Sequence, residues 1–295
     1  MIRELSITVP KANDGETAER FLKSRGFSRK LITRLKHSGG LRRCGEILRS
    51  IDRLNAGDEI TVTLEDTGAI VPNPDIKAEI VFENEDVAVF NKPCGLPVHP
   101  SIVHYTDTLG NLFAALYPGS AFRPIHRLDK DTSGLCACAK NKLAASLLSS
   151  GVEKTYYAVV DGDITRSGEI NEPIGRVGDS IIKREVRPDG QPAVTLYKPV
   201  LRENGRTLLE ITLKTGRTHQ IRVHFAHIGF PLCGDELYGG DRTNIKRQAL
   251  HCGKMRFKLP ITGELTEIES PLPEDILRLF KSGETFSAEI RKDTL

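Results

Sequence analysis

The sequence predicts an α+β protein with two parts, a small basic N-terminal module and a larger domain built mainly from antiparallel strands. From residue 76 onward, short apolar strand signals are joined by polar turns and interrupted by occasional helices, a pattern typical of hairpins and not of a parallel sheet. The 34 residues from Arg20 to Arg53 contain 11 Lys and Arg against two acidic residues. Because prolines and a glycine interrupt residues 67–75, we predict a module over 1–66, a linker over 67–75 and a second domain over 76–295.

The composition excludes several classes of protein. Of 295 residues, 39% are hydrophobic and 27% are charged, as in an ordinary globular protein. No stretch approaches the roughly 20 apolar residues that a membrane span needs, and the first five residues lack the apolar core of an export signal. Six cysteines occur without C-x-x-C spacing, which favours free thiols in a reducing compartment. We therefore expect a cytoplasmic protein that does not contact a membrane.

The N-terminal module begins with two predicted helices. Asp14 is placed to cap a helix that runs to about Ser24, and Ser28 is placed to cap a second helix over 29–36. In the second helix, three apolar residues form one stripe, and the basic residues point elsewhere. Two strand signals follow, at 41–48 and 59–64.

The basic residues of the second helix are candidate RNA ligands. The block from Arg20 to Arg53 has a net charge of about +9, whereas the rest of the chain sums to about −6. Phosphates attract such a surface and release counterions when they bind, so a polyanionic partner is predicted. The alternative is a solvated helical face without a partner. The candidates are Arg29, Lys30, Arg34 and Lys36.

The larger domain is predicted as a series of strands with two helices. Alternating or continuous apolar runs indicate the strands, and apolar residues one helical turn apart indicate each helix. The expected elements are a hairpin over 80–90, a central strand at 135–139, a helix at 141–150, strands at 155–160 and 208–214, and a helix that Thr218 caps and that runs to His227.

A polar segment, 123–134, leads directly into the predicted central strand. Rigid scaffolds often hold reactive groups in such loops, so Asp129 is a candidate catalytic carboxylate. Asp129 and Asp131 could instead form the paired acid and base of a glycosidase. A third interpretation is an Asx-turn network closed by residues 132–134.

A second segment, 215–227, contains three histidines and two arginines. Its spacing differs from H-E-x-x-H and it holds no carboxylate, so no metal site is expected. Arg217 at the strand-to-helix turn could pair with a carboxylate and keep it ionised, or could only brace the turn. In a third segment, Tyr156 and Tyr157 face opposite sides of a strand, so one could line a cleft while the other packs in the core.

Taken in order, these segments resemble the RluA-type pseudouridine synthases. The resemblance spans residues 79 to about 275, and residues 14–66 resemble the alpha-L RNA-binding module, with Cys44-Gly45 where that module usually has Asn-Gly. The matching motifs are Asn91–Leu96, His126–Asp129 with Thr132–Gly134, Lys154–Tyr156, Thr215–Arg222, Gln248–His251 and Ser270–Pro273.

The resemblance implies a pseudouridine synthase fold and a role for each matching residue. Asp129 would free uracil from its ribose, Tyr156 would stack on the target base, and Arg217 would pair with Asp129. Arg127 would enter the space that a flipped nucleotide leaves, and His126 beside it would contact the RNA. An isomerisation implies no cofactor, and the expected partner is ribosomal or transfer RNA. A non-catalytic RNA-binding protein is the competing hypothesis.

Overall fold

The computed structural model describes residues 2–66 and 68–280, which contain a four-stranded sheet, a ten-stranded sheet, a separate two-stranded sheet and six helices. Two 3-10 turns, at 11–13 and 236–238, complete the regular structure of these residues. The elements of the N-terminal part are β1 (Ile2–Thr8), α1 (Ala18–Ser24), α2 (Arg29–Ser38), β2 (Leu41–Arg43), β3 (Glu46–Ile47) and β4 (Glu59–Glu65). Those of the larger part are β5 (Glu79–Glu83), β6 (Val87–Lys92), α3 (Leu109–Leu116), β7 (Arg123–Pro124), β8 (Ser133–Ala139), α4 (Lys142–Leu148), β9 (Glu153–Asp161), β10 (Gly168–Asn171), β11 (Ile174–Arg176), β12 (Arg184–Val186), β13 (Val194–Glu203), β14 (Arg206–Leu213), α5 (Gln220–His227), β15 (Leu250–Lys258), β16 (Leu265–Glu269) and α6 (Glu274–Leu277).

The N-terminal part is an antiparallel sheet, in the order β1-β4-β2-β3, packed against α1 and α2. Ser28 caps α2 as predicted, because its hydroxyl accepts a hydrogen bond from the Leu31 amide at 3.3 Å. The predicted cap of α1 was wrong: Thr17 caps that helix, and the Asp14 carboxylate instead accepts the Ala56 amide at 2.8 Å. Strand β1 was not predicted at all.

The turn between β2 and β3 explains an unusual pair of residues. Cys44 and Gly45 both have positive φ angles, 49° and 85°. A two-residue hairpin turn of this type requires left-handed backbone at both positions, which is why Asn-Gly is favoured there. Cys44 adopts this conformation without the local hydrogen bonding that an Asn side chain offers.

The larger part is built on a ten-stranded sheet in which the main path runs β10-β13-β14-β9-β15-β8-β6-β5. All of its neighbouring strands are antiparallel except β8 and β15. The sheet is therefore mixed and mainly antiparallel, with helices beside it, as the sequence predicted. Strand β8 is buried along its whole length, which confirms its predicted central position.

The parallel contact of β8 with β15 depends on Gly134. Its φ angle is +108°, and a Cβ atom there would lie 2.3 Å from the carbonyl oxygen of Cys252. Only glycine permits this close approach. As a result, the first residues of β8, which directly follow the Asp129 loop, pair with β15.

The N-terminal part docks onto α4 of the larger part. Leu143 of α4 is buried in the same apolar cluster as Phe21 and Leu31, and Leu147 packs against that cluster. The Asp66 carboxylate also pairs with the Arg123 guanidinium, with one contact of 2.7 Å. Helix α4 therefore packs against the N-terminal part as well as belonging to the larger part. The domain boundaries at residues 66 and 76 stay predictions.

His251 gives stability a dependence on pH. Its ring is buried, with Nδ1 2.9 Å from the Ser133 hydroxyl and Nε2 3.3 Å from the Ser270 carbonyl, and burial lowers its pKa to about 4. An unfolded histidine, with a pKa of about 6.5, takes up a proton at pH values where the folded ring does not. Stability is therefore retained above about pH 6.5 and lost as the pH falls towards 4.

We expect His251 to account for a loss of about 2 kcal/mol in the free energy of unfolding between pH 7 and pH 5. Urea unfolding of wild type and His251→Gln at both pH values measures this share, since the variant lacks the titrating ring. The exposed His227 provides the matched control, His227→Gln. Equal pH dependence in wild type and His251→Gln would contradict the assignment.

Candidate active site

A cleft of about 970 Å³ opens beside the central sheet. Five chain segments line it: residues 97–99, the loop before β8, the end of α4, the start of β9, and the turn between β14 and α5. The lining residues include Pro97–His99, Pro124–Lys130, Leu148–Ser150, Lys154, Tyr156 and Leu213–His219. Several of these also line a recess of about 60 Å³ that includes Arg222.

Asp129 lies in both cavities, with its side chain 27% exposed. The Thr132 amide donates at 3.1 Å to the backbone carbonyl of Asp129 and not to its side chain, so the loop forms a backbone turn and not the predicted Asx turn. Oδ2 accepts a hydrogen bond from Nη1 of Arg222 at 2.9 Å. None of the described residues donates to Oδ1, so one oxygen is anchored and the other is available for chemistry.

Arg222 is the cation that holds Asp129. It lies in the first turn of α5, where its side chain is 8% exposed, and its Nε and Nη2 atoms bind both oxygens of Asp235 at 2.7 and 2.8 Å. Burial lowers the pKa of the Arg222 guanidinium, but the carboxylates of Asp235 and Asp129 together outweigh it and raise that pKa, so Arg222 stays charged at every relevant pH. Asp235 is 1% exposed, so it has no alternative partner in solvent.

The predicted pairing of Arg217 with Asp129 was wrong. Arg217 lines the cleft, but its Nε atom donates to the Pro192 carbonyl at 3.1 Å. The reason is the anchoring of the turn by Gln220, whose Oε1 accepts the Arg217 amide at 3.0 Å. This places Arg217 at the exposed rim and starts α5 at Gln220, so that Arg222 is the arginine that reaches inward. The same anchoring corrects the predicted cap, since His219 and not Thr218 precedes the first helical residue.

The two tyrosines of β9 face opposite sides, as predicted. Tyr156 lines the cleft beside Asp129, and Tyr157 belongs to a separate apolar cluster with Val159. Tyr156 is 6% exposed, and burial raises its pKa well above the ordinary value. Its phenol therefore keeps its proton and presents an aromatic ring next to the carboxylate.

The combination of this fold with an anchored aspartate and a buried tyrosine agrees with the results of sequence comparison. The RNA pseudouridylate synthase family matches residues 86–227. The "uncharacterized RNA pseudouridine synthase YlyB" of Bacillus subtilis is 39% identical over 298 residues, covering 95% of this chain and 98% of that protein. The "ribosomal large subunit pseudouridine synthase D" of Pseudomonas aeruginosa is 40% identical over 260 residues, covering 80% of this chain and 81% of that protein. This chain belongs to the RluA-type RNA pseudouridine synthases.

A solved structure supports the same conclusion. The human protein "RNA pseudouridylate synthase domain containing 1" matches with a TM-score of 0.56 and 27% identity, over 68% of this chain and 86% of that chain. The predicted fold is thereby confirmed. The enzyme is an isomerase that converts uridine to pseudouridine in RNA.

Two predicted RNA ligands of the synthase, His126 and Arg127, line the cleft but differ in exposure and charge. Arg127 is exposed and makes no hydrogen bond or ion pair with the described residues. His126 is neutral, because burial lowers its pKa to about 3, and its Nε2 lies 3.1 Å from the Leu135 carbonyl. A role of His126 as a cationic phosphate ligand is therefore not available at neutral pH.

The loop 91–100 borders the synthase cleft, which Pro97–His99 line. Lys92 at its start is fully buried and donates to the carbonyls of Pro93, Leu96 and Lys130 at 2.8 to 2.9 Å. Burial lowers its pKa to about 8, so the ammonium persists at neutral pH. It ties the loop to the residue that follows Asp129.

Sequence reasoning missed three further residues of the site: Asp235, Tyr238 and His219. Nε2 of His219 lies 3.8 Å from Oδ2 of Asp129, and Nδ1 lies 2.8 Å from the Tyr238 hydroxyl. Asp235 and Tyr238 come from a separate loop more than 100 residues along the chain from Asp129. No local sequence spacing could indicate that Asp235 contacts Arg222 or that Tyr238 contacts His219.

Over 2–66 and 68–280, no three His, Cys, Asp or Glu side chains are grouped as metal ligands. In that same part of the chain, no helix has the length and apolar character required to cross a bilayer. All six cysteines are free thiols.

Proposed function

We propose that Asp129 is the catalytic carboxylate with which this synthase isomerises specific uridines in structured RNA. The observation that carries the proposal is the asymmetric state of Asp129, which lines the cleft: Arg222 donates to Oδ2, and none of the described residues donates to Oδ1. The reaction breaks the bond between N1 and C1′ and joins C5 to C1′. C5 then loses its proton to solvent and N1 gains one from solvent, so the net change is an isomerisation. Oδ1 can act as nucleophile or base in this sequence, and either role requires an ionised carboxylate.

Arg222 and Tyr156 complete the proposed chemistry. Arg222 takes the role that the sequence predicted for Arg217, since its fixed charge stabilises the ionised carboxylate in a partly buried site. The Tyr156 ring stacks on the target uracil, because it is the aromatic side chain that lines the recess beside Asp129. Arg217 and Arg127, at the rim of the cleft, are placed to bind phosphates or to occupy the position of the displaced base.

The target nucleotide leaves its helix before the reaction. C5 and C1′ of a stacked uridine are inaccessible to a carboxylate held in a cleft, so the base is flipped out. The exposed Arg127, which lines the same cleft two residues from Asp129, then fills the vacated space. The isomerisation involves no net redox change, and we propose no cofactor or metal for it.

Ribosomal RNA of the large subunit is the proposed substrate. The support is the Pseudomonas aeruginosa relative, which is named a ribosomal large subunit pseudouridine synthase and is 40% identical. Transfer RNA is the second candidate. Mapping of pseudouridines in total RNA from cytoplasmic extracts, with and without the protein, tests this: we expect sites in large-subunit RNA to disappear, and the loss of transfer-RNA sites alone would overturn it.

The N-terminal part is proposed to be an alpha-L module that holds the same RNA. Its helix α2 exposes Arg29, Lys30, Arg34 and Lys36, while its apolar residues face the core. Helix α4 packs into that core through Leu143 and ends at Leu148, which lines the cleft. Because one helix contacts both, the basic face and the cleft lie at a fixed distance and can bind one folded RNA.

Removal of the basic face should weaken RNA binding and its salt dependence. We expect the triple variant Arg29→Gln, Lys30→Gln, Arg34→Gln to bind substrate RNA about 10-fold more weakly at low salt. The slope of the logarithm of the binding constant against the logarithm of the salt concentration should be smaller in magnitude by up to about 3. Filter binding over a range of salt concentrations measures both. Turnover at saturating RNA should stay near wild type. A slope equal to that of wild type would mean that α2 is only a solvated face.

A further inference from the structure

Tyr238 links the two groups that face Oδ2 of Asp129. Its hydroxyl lies 2.8 Å from Nδ1 of His219, and its ring face lies 5.0 Å from the guanidinium carbon of Arg222. The rings of His219 and Tyr238 also meet edge to face, with centroids 5.7 Å apart. A single side chain therefore braces both neighbours of the carboxylate.

The hydrogen bonds of Tyr238 fix the proton of His219. The backbone amide of Arg184 in β12 donates to the Tyr238 oxygen at 3.0 Å. Burial raises the pKa of Tyr238, so the phenol keeps its own proton. Among the described residues, Nδ1 of His219 is the one acceptor for that proton, which makes Nδ1 the unprotonated nitrogen of the ring.

The other ring nitrogen of His219 faces the reacting carboxylate. Burial lowers the pKa of His219, so the ring is neutral and its one proton resides on Nε2. Nε2 lies 3.8 Å from Oδ2 of Asp129, and the side chain is 11% exposed. That distance is too long for a hydrogen bond, but catalytic hydrogen bonds are often long in the free enzyme and shorten in the substrate complex.

The backbone is also built to aim this ring. His219 has a φ angle of 57°, a left-handed conformation that is unfavourable for a residue with a Cβ atom. Gln220 holds the turn in place, since its amide group makes four hydrogen bonds, to Thr215, Arg217, Val194 and Thr195. Strain of this kind persists where the surrounding structure fixes it, and it clusters at functional sites.

We propose that His219 and Tyr238 are positioning residues for Asp129. The Tyr238 hydroxyl holds the His219 proton on Nε2, and Nε2–H then donates to Oδ2 in the RNA complex. With Arg222 and His219 both on Oδ2, the carboxylate cannot rotate and Oδ1 remains directed at the flipped uridine. The inference rests on the proposed catalytic role of Asp129.

Two variants of His219 separate a hydrogen-bond role from a packing role. Gln can donate from its side-chain amide and Leu cannot, and both keep a Cβ atom at the same left-handed position. We expect His219→Leu to lower kcat by about 30-fold with little change in KM, and His219→Gln to recover at least about 5-fold of that loss. Tyr238→Phe should lower kcat by about 10-fold, since without the Tyr238 hydroxyl the His219 proton is no longer held on Nε2.

Nitrogen NMR of the histidine ring gives a readout that packing alone would not move. In wild type at pH 7, Nδ1 of His219 should resonate as an unprotonated nitrogen and Nε2 as a protonated one. In Tyr238→Phe, the two tautomers should mix. A protonated Nδ1 in wild type, or equal kcat in His219→Leu and wild type, would overturn the proposal.

A parallel assay of Asp129→Asn separates this inference from the function on which it rests. If Asp129→Asn keeps wild-type turnover, the catalytic assignment itself fails. If Asp129→Asn is inactive and His219→Leu is fully active, only the positioning role fails.

Discussion

Asp129→Asn should abolish pseudouridine formation, with a loss in turnover of at least about 10³-fold. The Asn side chain has the same shape, but it carries no negative charge and is a poor nucleophile and base. The assay is tritium release from RNA labelled at C5 of uridine, because the new bond between C5 and C1′ displaces that hydrogen. RNA binding should be retained, since the amide can still occupy the anchored position beside Arg222.

Asp131→Asn is the matched control for this experiment. Asp131 lies two residues away in the same loop, but it lines neither of the cavities that contain Asp129. Its described contact is made by the backbone, whose carbonyl accepts Nη1 of Arg247 at 3.3 Å. Turnover should therefore remain within about 3-fold of wild type. Equal release by wild type and Asp129→Asn would remove the proposed mechanism. A comparable loss in both Asp129→Asn and Asp131→Asn would favour a paired-carboxylate mechanism instead.

Local patterns made Asp129 a candidate and put Tyr156 and Tyr157 on opposite faces of one strand, whereas the family resemblance supplied the predicted roles of Asp129 and Tyr156. The polar loop before β8 and the alternation along β9 are local patterns, and local patterns fix which face a residue occupies. The buried strand β8 was predictable for the same reason. These elements agree with the structure to within one or two residues at most boundaries.

Local sequence patterns could not decide whether Arg217 or Arg222 pairs with Asp129. Arg217 and Arg222 lie in one motif, and the direction of each depends on where α5 begins. That start is set by Gln220, whose two hydrogen-bond partners in β13 lie 26 and 25 residues earlier in the chain. The partner of Arg222, Asp235, comes from a loop after α5. Contacts of this kind belong to the tertiary fold, and periodicity does not encode them.

The N-terminal strand β1 was missed for a related reason. Its residues, 2–8, are mostly exposed or half-exposed, and only Leu5 is buried. The strand forms because it pairs along its whole length with β4, more than 50 residues later. A half-exposed edge strand has a weak apolar pattern, so its pairing partner determines it more than its own sequence does.

Arg222→Lys should reduce turnover far more than the same change at Arg217. Lysine keeps the positive charge but cannot bind Asp235 through two nitrogens while a third binds Asp129. The carboxylate of Asp129 then loses its fixed position, and we expect kcat to fall by about 10²-fold or more. Thermal unfolding should also occur at a lower temperature, because Asp235 remains buried with a poorer partner.

Arg217→Lys tests the specificity of that effect, since it makes the identical chemical change in the same cleft. Arg217 is exposed and its described hydrogen bond is to a backbone carbonyl at the rim. Its replacement should raise KM for RNA a few-fold and leave kcat within about 5-fold of wild type, because a rim cation contributes to phosphate binding without touching Asp129. Steady-state kinetics on one RNA substrate compares the two variants directly. A larger loss of kcat in Arg217→Lys than in Arg222→Lys would mean that Arg217 moves onto Asp129 in the RNA complex, and that the anchoring of its turn by Gln220 is released when substrate binds.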